Sequence, residues 1–480
     1  MKLTNQSSKA TGFIFVVAAL LLFTSSSALA QTQEPAKPAS EVDQLKQRLQ
    51  QLEQTVTELK GQIDAIETKK KDPAPAIIDA KYSETAAPPS AETTPAEPAK
   101  QQDAKGESTF TIYGFAMLDA GYQLKQNHPD WFDVIRPTKL PSFPNEFAPN
   151  GKTYFGVRQS RLGVKSTTPT KYGELKTQFE FELFGTGVDA GQTTFRLRHA
   201  YGELGQFGAG QTWSPFMDID VFPNSLEYWG PNGMVFFRNV QFRWMPLKGR
   251  NAVTLAVERP GASGDQGVFQ DRIELQGIRG KFDLPDLSGN VRFTRDWGYL
   301  QVAGMLRRIK WVDTIDDAFD LSGTEVGAGM NITSNLKFTP KDTGRFAFVF
   351  GQGIQNYMND APVDVGIELT PGGDPRRPIK GVALPMWSLV AFLDHNWSKR
   401  FSTAAGYSFM DIDNSNGQAA NAYHRGHYAL TNLLFYPTDN VMIGGELQWG
   451  RRENFLDGFK SDDFRIQFSF RYNFSKSFSY

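Results

Sequence analysis

From Phe464 to Phe474 the chain reads FRIQFSFRYNF, with Phe464, Ile466, Phe468, Phe470, Tyr472 and Phe474 at the even positions. Arg465, Gln467, Ser469, Arg471 and Asn473 fill the odd ones. Period two is the mark of a strand with one apolar and one wet face. Its length fits the ~9–11 residues that a tilted strand needs to cross a bilayer. The parity runs on to Phe478 and Tyr480, interrupted by Lys476. A half-buried strand of a soluble sandwich is the competing reading, and so many aromatics on one face weigh against it.

The same alternation recurs in segments 110–122, 154–165, 173–185, 194–204, 206–213, 236–245, 251–259, 289–296, 299–312, 322–337, 343–357, 382–397, 400–410, 422–436, 441–452 and 464–474. Sixteen segments is an even number, as single-chain bacterial membrane barrels require. The pattern predicts an all-β, 16-stranded antiparallel transmembrane barrel over 109–480, with an N-terminal α-helical coiled coil before it. Stretch 260–287 has no clear pattern, which leaves 18 strands open. Ser398-Lys399 and 437–440 read as short periplasmic turns, whereas 125–152 and 358–381 read as outer loops.

Ahead of the barrel the pattern changes twice. Lys2, Lys9, the apolar run 13–23 and Ala28-Leu29-Ala30 predict a signal peptide over 1–30; a retained anchor helix is the alternative. Within 31–68, Val42, Leu45, Leu49, Leu52, Val56, Leu59, Ile63 and Ile66 recur at alternating spacings of 3 and 4. These are the a and d positions of a coiled coil, which predicts an oligomer without fixing its number. A lone amphipathic helix would carry the same stripe. Residues 69–108 are rich in Pro and Ala and read as a linker, a plain spacer or a contact to peptidoglycan.

Composition agrees. The 480 residues carry a net charge of −1, which points to no nucleic-acid partner, and the absence of Cys leaves a fold without disulfides. Mean hydropathy is −0.41, which excludes a bundle of membrane helices and suits strands with one wet face.

Alternation also identifies the inward face. It sends Arg161, Lys165, Lys176, Arg196, Arg198, Arg243, Arg292, Arg307, Arg345, Arg452, Arg465 and Arg471 into the lumen, with Asp119, Glu180, Glu182, Glu258, Asp296, Glu325 and Glu446. Twelve basic positions against seven acidic ones favour anions. Arginine's planar fork suits carboxylates. The bland alternative is that the arginines brace the wall against Glu180 and Glu182. Segment 210–232 is too long and aromatic for a turn; folded inward, it would bring Asp218, Asp220 and Glu227 opposite the arginines and reduce the basic excess. No catalytic constellation, metal site or cofactor motif stands out. His128, His199, His395, His424 and His427 are scattered.

RLGVK at 161–165, FRLRHAYGELGQF at 195–207 and GQTWSPFMD at 210–218, behind a coiled coil and a Pro/Ala linker, resemble the DcaP-like trimeric outer-membrane porins. That resemblance implies a homotrimer in outer-membrane lipid that takes up small anionic solutes, dicarboxylates among them. RLGVK is also similar to the second strand of general porins, where its arginine belongs to the constriction; this bears on Arg161 alone. The expected function is a diffusion porin, not an enzyme, with its N-terminal segment in the periplasm. The rivals are a plugged structural or adhesive barrel tethered to the cell wall and, more remotely, a barrel hydrolase.

Overall fold

A computed structural model describes residues 106–480; the expected signal peptide, coiled coil and nearly all of the linker lie outside the described residues. Twenty strands follow in chain order. They are β1 (Thr109–Gln123), β2 (Lys152–Gly156), β3 (Arg161–Thr170), β4 (Gly173–Phe184), β5 (Thr193–Leu204), β6 (Phe207–Trp213), β7 (Arg238–Leu247), β8 (Asn251–Glu258), β9 (Ile278–Gly280) and β10 (Asp286–Arg295). The rest are β11 (Gly298–Asp313), β12 (Gly323–Lys337), β13 (Asp342–Gln352), β14 (Val365–Leu369), β15 (Ile379–Ala383), β16 (Pro385–Asn396), β17 (Phe401–Ile412), β18 (Tyr423–Thr438), β19 (Val441–Asn454) and β20 (Lys460–Ser479).

Eighteen of these form one sheet, closed where β1 pairs with β20 from Thr109↔Ser479 to Gln123↔Arg465. Two members, β2 and β9, are short strips beside the ends of β1 and β11, so sixteen strands make the wall, each antiparallel to its neighbours. β14 and β15 form a separate hairpin in a long loop. Closure leaves no sheet edge unpaired, the condition for a sheet to stand in lipid. Phe464, Ile466, Phe468, Phe470 and Tyr472 on β20, Leu306 on β11 and Leu447 on β19 are all exposed on the outer face. The turns Lys171-Tyr172, Gln206 and its neighbours, and 439–440 are short; every connection at the opposite end is longer.

Five of the expectations needed correction. Segment 154–165 is broken at 157–160, where Arg158 turns inward to bond Asp133 at 2.6 Å. Segment 343–357 ends at Gln352, and 382–397 begins its wall strand at Pro385. Asp296 does not enter the lumen: it sits fully exposed in the turn after β10, paired with Arg250. The expected outer loop 125–152 folds partly into the barrel, burying Trp131, Val134, Ile135 and Leu140.

Candidate functional site: the lumen and its inward loops

The connection between β6 and β7 enters the barrel, as its length and aromatic content suggested. Its apolar side chains Phe216, Met217, Val221, Met234 and Val235 are buried against inward residues of β11, β13 and β16–β18, including Met305, Val349, Val390, Met410 and Tyr428. Each such side chain contributes about 1.5–3 kcal/mol. Leu226 packs against Met117, Leu434 and Met442.

Polar contacts fix its course. Asp218 accepts from Arg292 at 2.6 Å, Tyr299 at 2.7 Å and Thr333 at 2.6 Å. Asp220 pairs with Arg292, and its carbonyl accepts from Asn335 at 2.8 Å and from Arg345. Glu446 on β19 accepts the amide protons of Leu226 and Glu227 at 2.7 and 3.0 Å. The Gly233 amide donates to Ser408, and Ser388 donates to the Gly233 carbonyl. Glu227, a loop residue, accepts from the Ile135 amide at 3.1 Å and from Tyr428. Burial pushes its carboxyl up to about 7 against the pull of Arg465, 3.6 Å away.

The expected lumen residues fall into two groups. Arg307, Arg465 and Arg292 point inward and are used up by buried or loop carboxylates: Arg307 by Asp286 and Asp364 at 3.3 Å each, Arg465 by Glu227, Arg292 by Asp218 and Asp220. Arg345 pairs with Asp394. Arg243 donates to Gln241 and the Trp213 carbonyl, and Arg452 to the Thr138 and Asn421 carbonyls. Glu258 is buried between Ser214 and Ser288. Asp119 is bonded by Ser469 at 2.6 Å and by Gln159 and Gln467. Glu325 lies half-buried near the long-loop end of β12, and Lys176 beside Glu174 near the short-turn end.

The second group surrounds Glu180 and Glu182 on β4. Arg198 bonds both carboxylates at 2.6 Å and is itself buried, the bracing role that had been the bland alternative. Arg161 and Arg196 approach Glu182 only to 3.6 Å, with 24% and 29% of their side chains exposed. Arg238 also lies 3.6 Å from Glu182, its guanidinium 4.8 Å from the Trp213 ring. Four guanidinium groups against two carboxylates leave a local charge of 4 − 2 = +2. Farther toward the short turns, Arg471 lies 5.4 Å from the Phe115 ring and Lys165 5.5 Å from Tyr113. Arg471 forms no ion pair among the described residues.

Two residues here escaped the alternation. A register shift in the β4–β5 pairing turns both Arg198 and His199 inward, where His199 meets Thr212 at 3.0 Å; such a bulge inserts one residue and flips the parity beyond it. Arg238 opens β7 on the outward parity, yet its side chain is buried over Trp213.

On the long-loop side of Arg196, the inserted loop 124–151 builds a second layer. Arg136 is sandwiched between Trp131 and Trp229, 4.2 and 4.1 Å from their rings, and bonds Asp360 at 2.9 Å. Beside it lies a recess of about 360 Å³ lined by Trp131, Arg136, Arg196, Tyr228, Trp229 and Asn359 among others. Among the described residues no group of His, Cys, Asp and Glu could hold a metal ion.

A sequence model of the DcaP outer membrane protein family matches residues 107–474. Among solved structures, the outer membrane channel DcaP of Acinetobacter baumannii is similar at TM-score 0.64 and 18% identity, over 78% of this chain and 99% of that one. An anion-selective porin from Comamonas acidovorans is similar at TM-score 0.48 and 13% identity, over 77% and 100% of the two chains. OmpT of Vibrio cholerae with loop L8 deleted reaches TM-score 0.48 and 12% identity, over 78% and 100%. A search of curated proteins finds no match.

Proposed function

The chain belongs to the DcaP outer membrane protein family, and from that footing we propose that its barrel is an outer-membrane diffusion channel for small anionic solutes, dicarboxylates among them. The observation that carries this is the set of four arginines around Glu180 and Glu182. Arg198 and Arg238 are buried there, while Arg161 and Arg196 stay open to the lumen on either side of Glu182. A carboxylate passing this level meets two guanidinium groups whose charge is not fully spent, each able to accept it in a bidentate way. Arg471 and Lys165 continue the positive path toward the short turns, so that Arg161, Lys165, Arg196 and Arg471 line the route. No covalent step is involved; selection is electrostatic.

In this reading the protein is a homotrimer in outer-membrane lipid. Its short turns and N-terminal segment face the periplasm, where the coiled coil adds to assembly and the linker can reach peptidoglycan. The support is the heptad stripe of 42–66 and the crowding of long loops at one end of the barrel. The second reading is a plugged structural barrel, and the two inward loops speak for it.

Planar-bilayer recording in a salt gradient decides between the two. The channel reading predicts conductance with anion selectivity at low salt. That selectivity fades as the Debye length shrinks to about 3 Å at 1 M, and Arg161→Glu with Arg196→Glu reverses it. A silent wild-type protein supports the plugged barrel. A folded double variant with an unchanged reversal potential contradicts the role given to the two arginines.

A further inference from the structure

The outer face of the barrel carries charge at two places near the long-loop end. On β17–β20 every cation has a carboxylate partner: Asp411 with Arg425 at 2.5 Å, Glu453 with Arg451 at 3.4 Å and Lys460 at 3.0 Å, and Asp462 with Lys125 at 2.8 Å. On β9–β11 that is not so. Arg308 and Lys310 follow Leu306 on the outward parity of β11, and Leu306 is itself 51% exposed on the lipid face. β9 lies alongside, with Arg279 opposite Val312, and the Lys281 amide donates to the Lys310 carbonyl at 2.8 Å. Arg279 and Lys281 therefore join the same outward row, and both are exposed.

Asp283 is the one carboxylate paired with any of these four among the described residues; it bonds Arg308 and lies 3.6 Å from Lys310. The row thus carries 4 − 1 = +3. Lys281 forms no ion pair among the described residues. Arg279 donates to the Gln276 and Ile278 carbonyls, and Arg308 Nε has no hydrogen-bond partner. Toward the middle of the wall, Leu287, Leu306 and Val326 present only apolar surface. Charge on the lipid face is tolerated near the interface and not at the midplane, so this row stands at headgroup level.

We propose that Arg279, Lys281, Arg308 and Lys310 form a docking site for the phosphate groups of an anionic lipid in the leaflet at the long-loop end. The ligand must be anionic at the level of the row and apolar just beneath it. A free phosphate lacks the second property. A second copy of the chain would need a matching acidic face. The other charged patch at this end instead exposes Arg425, Arg451 and Lys460 by 40–48% over carboxylates exposed by 14–16%, and it would repel the row.

The test is native mass spectrometry of the full chain in detergent, titrated with lipid A and with dephosphorylated lipid A. The wild-type protein should retain the phosphorylated form on the order of tenfold better. The change Arg279→Gln/Lys281→Gln/Arg308→Gln/Lys310→Gln should bring the two lipids level, whereas Arg425→Gln/Arg451→Gln should leave the preference intact. If the fourfold variant fails to fold, Lys281→Gln/Lys310→Gln should weaken the preference by itself. Equal retention of both lipids by the wild-type protein overturns the proposal, as does an unchanged preference in the folded fourfold or double variant. Loss of oligomers in the variant without a change in lipid retention would assign the row to a second copy instead.

Discussion

Two arcs of the same wall treat inward arginines in opposite ways. Along β10–β19 the lumen is filled by the β6–β7 loop. There Arg292 and Arg345 are bound to loop groups or to Asp394, and Val349, Val390 and Met410 form an apolar inner face. Along β1, β3–β5 and β20 the loop reaches the wall through 226–229, where Leu226 meets Met117, Glu227 pairs with Arg465 and Tyr228 donates to Glu182, yet Arg161, Arg196 and Arg471 keep part of their surface. An inward arginine is therefore not a pore residue by parity alone. What decides is whether a carboxylate is brought to it: Asp218 and Asp220 are delivered to Arg292, whereas Glu180 and Glu182 are taken chiefly by Arg198, which leaves its neighbours in excess.

The largest expected effects come from breaking the filled arc. Arg292→Ala strips Asp218 and Asp220 of their shared cation, at a cost of about 3–5 kcal/mol for a buried pair. Phe216→Ala empties its site at a similar cost of about 3–5 kcal/mol. The double variant should free the loop and raise single-channel conductance; wild-type conductance in a folded double variant would show that the loop does not narrow the path.

Next comes the difference within the open arc. Arg198→Gln leaves two buried carboxylates without the cation that bridges them, again about 3–5 kcal/mol, and should lower the yield of folded barrel read by heat-modifiable gel mobility. Arg161→Gln and Arg196→Gln, about a quarter exposed and loosely paired, should cost about 1 kcal/mol or less each and leave that yield near wild type. Equal losses for all three would erase the distinction between brace and pore residue.

The smallest effect concerns the terminal strand, where the faces can be compared directly. Phe470→Lys places a charge in lipid, costing about 2–4 kcal/mol near the midplane, whereas Asn473→Lys, half-buried near the short turns, should fold normally. Ser469 is unsuited to this comparison although it faces inward, because it is fully buried and bonded to Asp119. Equal folding yields for Phe470→Lys and Asn473→Lys would show the parity of β20 to be slipped.

Strand number, the outward face and the inward loop at 210–232 were legible in the sequence, because each rests on period two or on a length too great for a turn. The filled arc had a signal that went unused. FAFVFG at 346–351 and LVAFL at 389–393 are apolar on both faces, which a water-filled lumen would not favour and a docked loop explains. The bulge at Arg198-His199 and the inward curl of Arg238 left no local mark, since each depends on a neighbouring strand or ring. The inward fold of 125–152 was hidden for the same reason: Asp133, Arg136 and Thr138 find Arg158 and Asp360, which are distant in sequence or not recognisable as partners.

The chain contains no cysteine, so a single introduced thiol reports on its own surroundings. The most direct test of the two-arc account is block of single-channel current by a negatively charged thiol reagent in three variants. Arg161→Cys and Arg196→Cys should be modified quickly and lose conductance, whereas Val349→Cys, buried under the loop, should keep its current unchanged. Rapid block at Val349→Cys, or none at either arginine position, would contradict a path along the open arc.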